Sequence, residues 1–412
     1  MVDRASVTTR LSQLHPYPAM VPNEVAVELT NRYVVKGTRM LDPFCGSGRL
    51  LTAAGGLPAC RVGVDANPLA CLITRAKLAR ADVEALGDVI RAIPQARRTF
   101  VGATPVEFHE QRRVEWFPPA VVAELSNIVS WINALGLCAE ERVVAAAALS
   151  AAVRDASYVR RGGWKLHRLS AAARAQLSRS AWNCFEGRLR YCLSELAAQP
   201  VVSGQTQILV GDARRLAESL PPSIPNGAFD VVLTSPPYGD SRTTVQYGAA
   251  SALCLEFVSR INGFEHLFAS GRDIDATCLG GVGRSETSLK PDELTQCWAG
   301  GNGPRRRSVE AFLADYAQAC RGIATCLRSG GLAVLIVGRR SVDGAPLKLD
   351  MFTTDQFRRL GFALLQSHSR PLKWKHMPDK INRYGASSSP QLRANGSTYT
   401  IAHEITLVFQ KL

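Results

Sequence analysis

The sequence lacks the features that mark metal-binding, disulfide-rich, membrane and secreted proteins. Its eleven cysteines form no Cys-x-x-Cys pair and have no metal-ligand spacing. An odd cysteine count also argues against a disulfide framework. No apolar stretch is long enough to span a bilayer, and the N-terminus lacks the apolar run of a secretory signal. We therefore expect reduced thiols in a cytosolic protein, with no metal and no membrane association.

Acidic residues are also in deficit. Lys and Arg number 49 against 35 Asp and Glu, which gives a formal net charge of +14. The excess is concentrated in residues 154–190, with nine bases and two acids, and in residues 339–393, with eleven bases and four acids. Such clustering favours a polyanionic partner such as nucleic acid. A solvated basic surface without a partner is the alternative.

The most informative stretch is Ser235-Pro236-Pro237-Tyr238. It follows residues 229–233, which read as a short buried strand, and the prolines end that strand because neither can donate to a sheet ladder. Open α/β sheets place their ligands at such strand ends. The Ser235 hydroxyl and the Pro236 carbonyl are two acceptors beside a ring, which suits an exocyclic amino group on a flipped base. A plain proline turn is the alternative.

A glycine-rich turn opens an α/β unit near the N-terminus. The predicted strand 38–41 leads into the loop 42–48, a helix begins at Arg49, and a second strand over 60–64 is followed by Asp65. An acid about 20 residues beyond such a turn can take both hydroxyls of a ribose. Two ordinary turns with structural acids are the alternative. The order strand, turn, helix is typical of a doubly wound α/β fold.

The remaining elements follow the same rhythm with one interruption. Residues 81–205 have alanine-rich stretches with helical spacing and few strand signals, so they are predicted to be a helical insertion. Residues 240–307 read as a long, mostly irregular segment, which is usually functional. The last two predicted strands are expected to form an antiparallel hairpin at a sheet edge. Further helices are predicted at 22–33, 67–80, 249–262, 308–328 and 353–360, and strands at 207–210, 331–337, 362–368 and 403–410.

The insertion contains a segment, 158–168, in which bases alternate with aromatic residues. Such a segment can lie along a phosphate backbone and stack on bases, although a solvated loop between helices is the alternative. The candidate contacts to DNA are Arg160, Arg161, Lys165 and Arg168 in this segment, and Arg242, Lys373 and Lys375 elsewhere.

With these residues in place, the chain resembles the S-adenosylmethionine-dependent amino-methyltransferases of DNA, and specifically their N4-cytosine group. Asp42-Pro-Phe-Cys-Gly-Ser-Gly48 is similar to the family's cofactor loop. Ser235-Pro-Pro-Tyr238 is similar to its catalytic motif, in the form most associated with cytosine N4. His15-Pro-Tyr-Pro-Ala19 is similar to the segment that closes over the methionine end of the cofactor. The resemblance covers 15–80 and 205–412.

The resemblance implies a fold, a cofactor and a set of site residues. The fold would be a doubly wound, seven-stranded, mostly parallel sheet of the Rossmann-like class I methyltransferase type, with a reversed last strand. The cofactor would be S-adenosylmethionine, with Asp65 on the ribose and Asp212 on the adenine amino group. The catalytic residues would be Ser235, Pro236, Pro237 and Tyr238. The cofactor-binding residues would be Tyr17, Pro18, Asp42, Phe44, Gly46, Gly48, Asp65, Asn67, Asp212 and Ala213.

The implied activity is site-specific methylation of the exocyclic N4 of cytosine in double-stranded DNA by base flipping. A covalent route through cytosine C5 needs a Pro-Cys nucleophile, and the sequence has no such dipeptide. Adenine-N6 methylation stays open, although Asp or Asn in place of Ser235 is more typical of it. Guanine-N2 methylation of RNA also stays open, although those enzymes usually carry an N-terminal RNA-binding domain. A non-catalytic nucleic-acid-binding subunit on this fold is a further alternative.

The expected partner is double-stranded DNA, in a prokaryotic cytosol and near the nucleoid. A cognate restriction endonuclease, as a separate chain, is a candidate partner. Residues 1–80 and 206–412 are predicted to be the two halves of a methyltransferase domain, with 81–205 inserted between them. Because the sequence ends right after its last predicted strand, target recognition is expected in 81–205 or in 240–307.

Overall fold

The computed structural model divides into two compact units. The first unit consists of Met1–Gly37, Cys45–Val210 and Val245–Asp275, and the second of Thr38–Phe44, Gly211–Thr244 and Ala276–Leu412. The residues that the structure describes are 13–109, 111–161, 164–198, 204–239, 246–269, 271–281, 296–298, 300, 305–342, 345–371 and 401–412.

Helices and strands alternate along the described part of the chain. The helices are α1 (Asn23–Tyr33), α2 (Arg49–Ala53), α3 (Pro68–Lys77), α4 (Val83–Thr99), α5 (Pro119–Ala134), α6 (Ala139–Ala156), α7 (Ala171–Ala175), α8 (Ala181–Ala197), α9 (Leu216–Ser219), α10 (Gly248–Val258), α11 (Gly271–Thr277), α12 (Arg306–Cys326) and α13 (Leu349–Arg359). The strands are β1 (Arg39–Asp42), β2 (Cys60–Asp65), β3 (Gln205–Val210), β4 (Phe229–Thr234), β5 (Leu327–Val342), β6 (Ala345–Leu347), β7 (Phe362–Pro371) and β8 (Ile401–Lys411).

The first unit combines a parallel strand pair with a helical core. Strands β2 and β3 run parallel, with Val62 opposite Gln207. Helix α3 begins where the sequence predicts, because the Asn67 side chain accepts the N–H of Leu69 and Pro68 occupies the first turn. Helices α3 to α6, α8 and α10 contribute to one apolar cluster. The predicted helical character of residues 81–205 is therefore confirmed.

The second unit carries most of the sheet. Its strands lie in the order β1-β4-β5-β8-β7, with β6 paired to β5 at the side. Strands β1, β4 and β5 are parallel, and β8 is antiparallel to both β5 and β7. The prediction of a doubly wound, mostly parallel α/β fold with a reversed last strand is thus confirmed. So is the antiparallel hairpin of the last two strands, since β7 lies at the end of this order.

Several elements differ from the sequence prediction. Strand β5 starts before residue 331, because its first residues pair with β4 across a register shift near Gly330, whose φ is +73°. Helix α10 ends at Val258, short of residue 262, and α11 was not predicted because seven residues are too few to show a clear period. Among the described residues, we find no helix whose length and apolar character would let it cross a bilayer.

Candidate active site

The two glycines of the predicted cofactor loop adopt backbone conformations that favour glycine. Gly46 and Gly48 have φ values of +49° and +77°. A Cβ on Gly48 would lie 2.5 Å from Cγ2 of Thr74, and the Thr74 hydroxyl donates to the Gly46 carbonyl at 2.9 Å. The loop is therefore held closely against α3, and a larger residue at position 48 has no room.

Asp65 ends β2, and both of its carboxylate oxygens accept backbone N–H groups. Its Oδ2 accepts from Gly46 at 2.8 Å and its Oδ1 from Asn67 at 2.8 Å. The side chain remains partly exposed. Desolvation raises the pKa of Asp65 from 3.8 to about 6, against the effect of the two hydrogen bonds. Each oxygen can accept more than one hydrogen bond, so a carboxylate fixed in this way can take two ribose hydroxyls.

Asn67 connects α3 to the strap, as we name the predicted cofactor-closing segment His15–Ala19. Its Nδ2 donates to Ser251 Oγ at 2.9 Å and to Tyr17 Oη at 3.2 Å. Cε1 of Tyr17 lies 3.6 Å from the position that a Cβ on Gly46 would occupy. The ring of Tyr17 therefore lies over the glycine loop, where the sequence analysis places a cofactor-binding residue.

An aromatic cluster surrounds the strap. The ring of Tyr17 lies 5.3 Å from that of Trp164 and 5.7 Å from that of Tyr247, measured between centroids. The indole N–H of Trp164 donates to the Gln246 carbonyl at 3.2 Å. Pro18, the neighbour of Tyr17, is partly exposed. The strap and the basic segment, which the sequence analysis treats separately, are thus in direct contact.

The basic segment folds back on itself, and we call residues 158–169 the basic hairpin. Val159 and Arg168 form an antiparallel bridge, and the N–H of Arg160 donates to the carbonyl of His167 at 2.7 Å. The described residues on the two sides of 162–163 are therefore paired through backbone hydrogen bonds.

Four basic side chains of the basic hairpin are exposed. Arg160, Arg161 and Lys165 all lie at the surface. Arg168 is exposed as well, but its guanidinium lies 3.0 Å from a carboxylate oxygen of Glu115, so its charge is partly compensated. The other three predicted DNA contacts, Arg242, Lys373 and Lys375, lie outside the described residues.

In the second unit, Asp42 is a buried carboxylate at the start of the glycine loop. It is 1% exposed. Its Oδ1 accepts the hydroxyl of Thr234 at 2.6 Å and the N–H of Phe44 at 3.2 Å. Thr234 ends β4, directly before the serine of the proline motif. The ends of β1 and β4 are therefore joined by a hydrogen bond between residues 192 positions apart.

The proline motif places its hydroxyl groups in a connected network. Ser235 Oγ lies 3.3 Å from Tyr238 Oη, and Tyr238 Oη lies 3.1 Å from Oε1 of Glu404. The second carboxylate oxygen of Glu404 accepts from Arg370. The ring of Tyr238 lies against β5 at Gly338, where a Cβ would overlap it. Burial raises the pKa of Tyr238 well above its ordinary value, so the phenol stays protonated.

The two prolines give the motif a rigid backbone. Pro236 is buried and Pro237 is partly exposed, directly after the end of β4. Ser235 remains partly exposed beside them. The motif therefore presents a hydroxyl on a fixed turn, as the sequence analysis expects.

Asp212 follows β3, as predicted, but its carboxylate is already engaged. Both of its oxygens accept from the guanidinium of Arg214, at 2.8 and 2.9 Å from Nε. Arg214 also donates to Asp315 at 3.1 Å. Ala213 is buried beside Asp212. Any adenine amino group at this position would share the Asp212 carboxylate with an arginine, which the sequence analysis does not anticipate.

Sequence reasoning missed three residues that complete these arrangements. Glu404 lies in a predicted strand, and its signal is a carboxylate in an otherwise apolar run. Arg214 stands two residues after Asp212, a spacing that allows a local ion pair. Tyr247 precedes α10 in a segment that read as irregular, and no local pattern indicates its contact with the strap.

The residues of the first unit fit S-adenosylmethionine on their donor and acceptor chemistry. The fixed, partly exposed carboxylate of Asp65 suits a ribose diol, and the tight glycine turn allows close approach of a ligand to the backbone. Among the residues described, we find no group of three or more His, Cys, Asp or Glu side chains that could hold a metal ion.

No protein-family model matches the chain. The type II methyltransferase M.MvaI of Kocuria varians is 24% identical over 429 aligned residues, which cover 96% of this chain and 90% of that protein. The type II methyltransferase M.MjaII of Methanocaldococcus jannaschii is 28% identical over 83 residues, which cover 20% of this chain and 16% of that protein.

Two solved structures resemble the chain weakly. TTHA0409 from Thermus thermophilus, in complex with S-adenosyl-L-methionine, is 18% identical, with a TM-score of 0.24 over 49% of this chain and 53% of that chain. The rRNA methyltransferase aviRa from Streptomyces viridochromogenes is 12% identical, with a TM-score of 0.32 over 98% of this chain and 92% of that chain. Neither score supports an argument about the site.

The match to M.MvaI runs along almost the whole chain. This similarity is consistent with three features of the structure, each at the end of a strand: the glycine loop, the acid after β2 and the Ser-Pro-Pro-Tyr turn after β4. The chain is therefore similar over almost its whole length to a type II methyltransferase, and its cofactor is S-adenosylmethionine.

Proposed function

We propose that the protein is a type II enzyme that methylates the exocyclic N4 of cytosine at a specific site in double-stranded DNA. The observation that supports an amino group as the methyl acceptor is the fixed Ser235 hydroxyl, which is partly exposed between β4 and the two prolines. Cytosine is favoured because position 235 is a serine, whereas an acid or an amide at this position is more typical of adenine enzymes.

The chemistry assigned to the motif is positioning and electrostatic stabilisation. The amine of cytosine is a poor nucleophile because its lone pair is delocalised into the ring. Hydrogen bonds from the amine to Ser235 Oγ and to the Pro236 carbonyl would favour a pyramidal nitrogen and direct its lone pair. Pro237 would hold this backbone rigid, and Tyr238 would contact the flipped base. S-adenosylmethionine supplies the methyl group as an electrophile on a sulfonium.

Hydrogen bonds of Asp65 and Asn67 support part of the proposed cofactor site. Asp65 would accept the ribose hydroxyls, and Asn67 would keep Tyr17 over the glycine loop through its hydrogen bond to Tyr17 Oη. The remaining contacts are proposed for Pro18, Asp42, Phe44, Gly46, Gly48, Asp212 and Ala213.

DNA binding is proposed for the basic hairpin. Arg160, Arg161 and Lys165 would contact phosphates, and Arg168 would contribute less because it is paired with Glu115. The same role is proposed for Arg242, Lys373 and Lys375. Target recognition is proposed for residues 81–205 or 240–307, and a separate restriction endonuclease is the proposed companion in the cell.

The reaction can be tested with purified protein, radiolabelled S-adenosylmethionine and mixed-sequence DNA, followed by nucleoside analysis of the product. We expect N4-methylcytosine. Recovery of N6-methyladenine would replace cytosine by adenine as the substrate, and methylation of RNA guanine without transfer to DNA would contradict the proposal. Recovery of the methyl group on cytosine C5 would exclude the amine mechanism.

Ser235 offers the sharper test of the site. Ser235→Ala removes one preorganised hydrogen-bonding group, so single-turnover rates should fall by up to about 10²–10³-fold, with cofactor affinity unchanged. Ser235→Asp, which introduces the acid usual in adenine enzymes, should be weakly active or inactive on the native site. Ser329→Ala, an exposed serine of the same unit, is the matched control. Wild-type rates in Ser235→Ala would remove Ser235 from the reaction.

A further inference from the structure

Four side chains of the second unit form a continuous hydrogen-bonded chain that ends on an ion pair. Ser235 Oγ contacts Tyr238 Oη at 3.3 Å, Tyr238 Oη contacts Glu404 Oε1 at 3.1 Å, and Arg370 contacts the other oxygen of Glu404. Neither Glu404 nor Arg370 belongs to the sequence motifs described above.

Strand register explains how these four hydrogen-bonded side chains come together. Glu404 on β8 stands opposite Gly338 on β5 and opposite Arg370 on β7. Since Gly338 has no side chain, the ring of Tyr238 can lie against β5 there, and its hydroxyl reaches the neighbouring carboxylate. Glu404 is 9% exposed, so its contacts are made largely out of water.

The direction of each hydrogen bond follows from chemistry. An ionised carboxylate only accepts hydrogen bonds, and Glu404 forms an ion pair with the guanidinium of Arg370. The single phenolic hydrogen of Tyr238 must therefore point to Glu404. Tyr238 Oη can then only accept from Ser235, so the Ser235 hydrogen points to Tyr238 and away from a substrate.

We propose that Glu404 is a positioning residue that, through Tyr238, sets the Ser235 hydroxyl as a hydrogen-bond acceptor toward the substrate. The site then selects a group that carries N–H hydrogens, such as an exocyclic amine, and disfavours a carbonyl oxygen or a ring nitrogen without hydrogen. This inference rests on the proposed function, because it assumes that the substrate approaches Ser235.

Glu404→Gln tests the direction of the chain. Arg370 can only donate, so it holds the amide oxygen of the new side chain and turns the amide N–H toward Tyr238. Tyr238 then donates to Ser235, whose hydrogen is left facing the substrate amine. We expect kcat to fall by about 10–100-fold, with the KM for S-adenosylmethionine unchanged, because an acceptor has become a donor.

A double-mutant cycle separates this role from a merely structural one. Tyr238→Phe breaks the chain, so adding Glu404→Gln to it should cause no further loss, and the double variant should be faster than Glu404→Gln alone. Additive losses would overturn the inference. Glu218→Gln, at an exposed glutamate of the same unit whose side chain is 70% exposed, is the matched control and should retain wild-type kcat.

A second readout needs no activity. With 3-fluorotyrosine at position 238 as the sole labelled residue, ¹⁹F NMR reports the ionisation of that phenol as pH rises. Its pKa should be lower in Glu404→Gln than in the wild type, while Glu218→Gln leaves it unchanged. Equal pKa values of Tyr238 in all three proteins would overturn the inference. If the pKa of Tyr238 is lowered in Glu404→Gln as expected, but the methyl group is transferred to a group other than an amine, the proposed function is contradicted and the inference is not.

Discussion

The ring of Tyr17 lies 5.3 Å from the ring of Trp164, so the strap over the glycine loop contacts the basic hairpin. This contact predicts that a change in the hairpin alters cofactor binding. Trp164→Ala should raise the Kd for S-adenosylmethionine by about two- to tenfold, since such an aromatic pair contributes roughly 0.5–1.5 kcal/mol. Isothermal titration calorimetry can measure the change.

The matched variants for this prediction are also tryptophan substitutions. Trp164→Phe keeps a ring beside Tyr17 and should retain most of the affinity. Trp116→Ala removes a ring that lies under the guanidinium of Arg168, at 5.9 Å, and should leave the affinity unchanged. An unaltered Kd in Trp164→Ala would mean that the ring contact does not support the strap.

The raised pKa of Asp65 predicts a pH-dependent affinity for the cofactor. The carboxylate is ionised above its pKa of about 6 and protonated below it. Only the ionised form accepts both ribose hydroxyls, so affinity should be high above about pH 6 and fall by up to tenfold per unit below it. Calorimetry from about pH 5 to about pH 8 tests this.

Asp65→Asn is the control for that pH profile. It should bind S-adenosylmethionine more weakly than the wild type, and its affinity should no longer change through pH 6, because the titrating group is gone. Circular dichroism would check that the fold is kept. A pH dependence that persists in Asp65→Asn would assign it to another group.

The basic hairpin predicts a specific salt dependence of DNA binding. Replacing Arg160, Arg161 and Lys165 by Ala should reduce the slope of log K against log salt by about 0.9 for each phosphate that is no longer neutralised. Fluorescence anisotropy with a DNA duplex at several salt concentrations can measure the slope.

Three exposed arginines of α4 provide the matched charge control. Replacing Arg91, Arg97 and Arg98 by Ala removes the same charge from the same unit, but from a different element. This variant should retain most of the slope. Equal slopes for the two triple variants would show that the hairpin contributes net charge without direct phosphate contacts.

The glycine loop predicts a difference between two glycines of positive φ. Gly37, at φ +92°, has no atom within 4 Å of an added Cβ, whereas Gly48, at φ +77°, has Thr74 at 2.5 Å. Gly37→Ala should cost about 1–2 kcal/mol of unfolding free energy for the left-handed backbone alone. Gly48→Ala should cost about 1–3 kcal/mol more because of the overlap.

Thermal and chemical denaturation of the two variants measure these costs. Gly48→Ala should also weaken cofactor binding, since the loop would have to move away from α3. Equal losses of stability in Gly37→Ala and Gly48→Ala would contradict the close packing of the loop on Thr74.

Local sequence was enough to predict the elements that carry the site. Asn67-Pro68 marks the start of α3 because one side chain caps the helix and the other fits its first turn. The two prolines after β4 end that strand because they cannot donate to the ladder. These effects act within a few residues, so a pattern in the sequence reports them directly, and the Ser235 turn and the Asp65 carboxylate were found this way.

Tertiary structure alone decided which side chains meet. Tyr238 and Glu404 are 166 positions apart and meet because the reversed strand β8 sets Glu404 opposite Gly338. Tyr17 reaches Trp164 across a helical region whose turns cannot be read from local periodicity. Contacts of this kind depend on strand register and packing over the whole unit, and no local pattern encodes them. The sequence therefore determined the fold class, the glycine loop and the Ser-Pro-Pro-Tyr turn, and the structure decided the hydrogen-bonded neighbours that orient them.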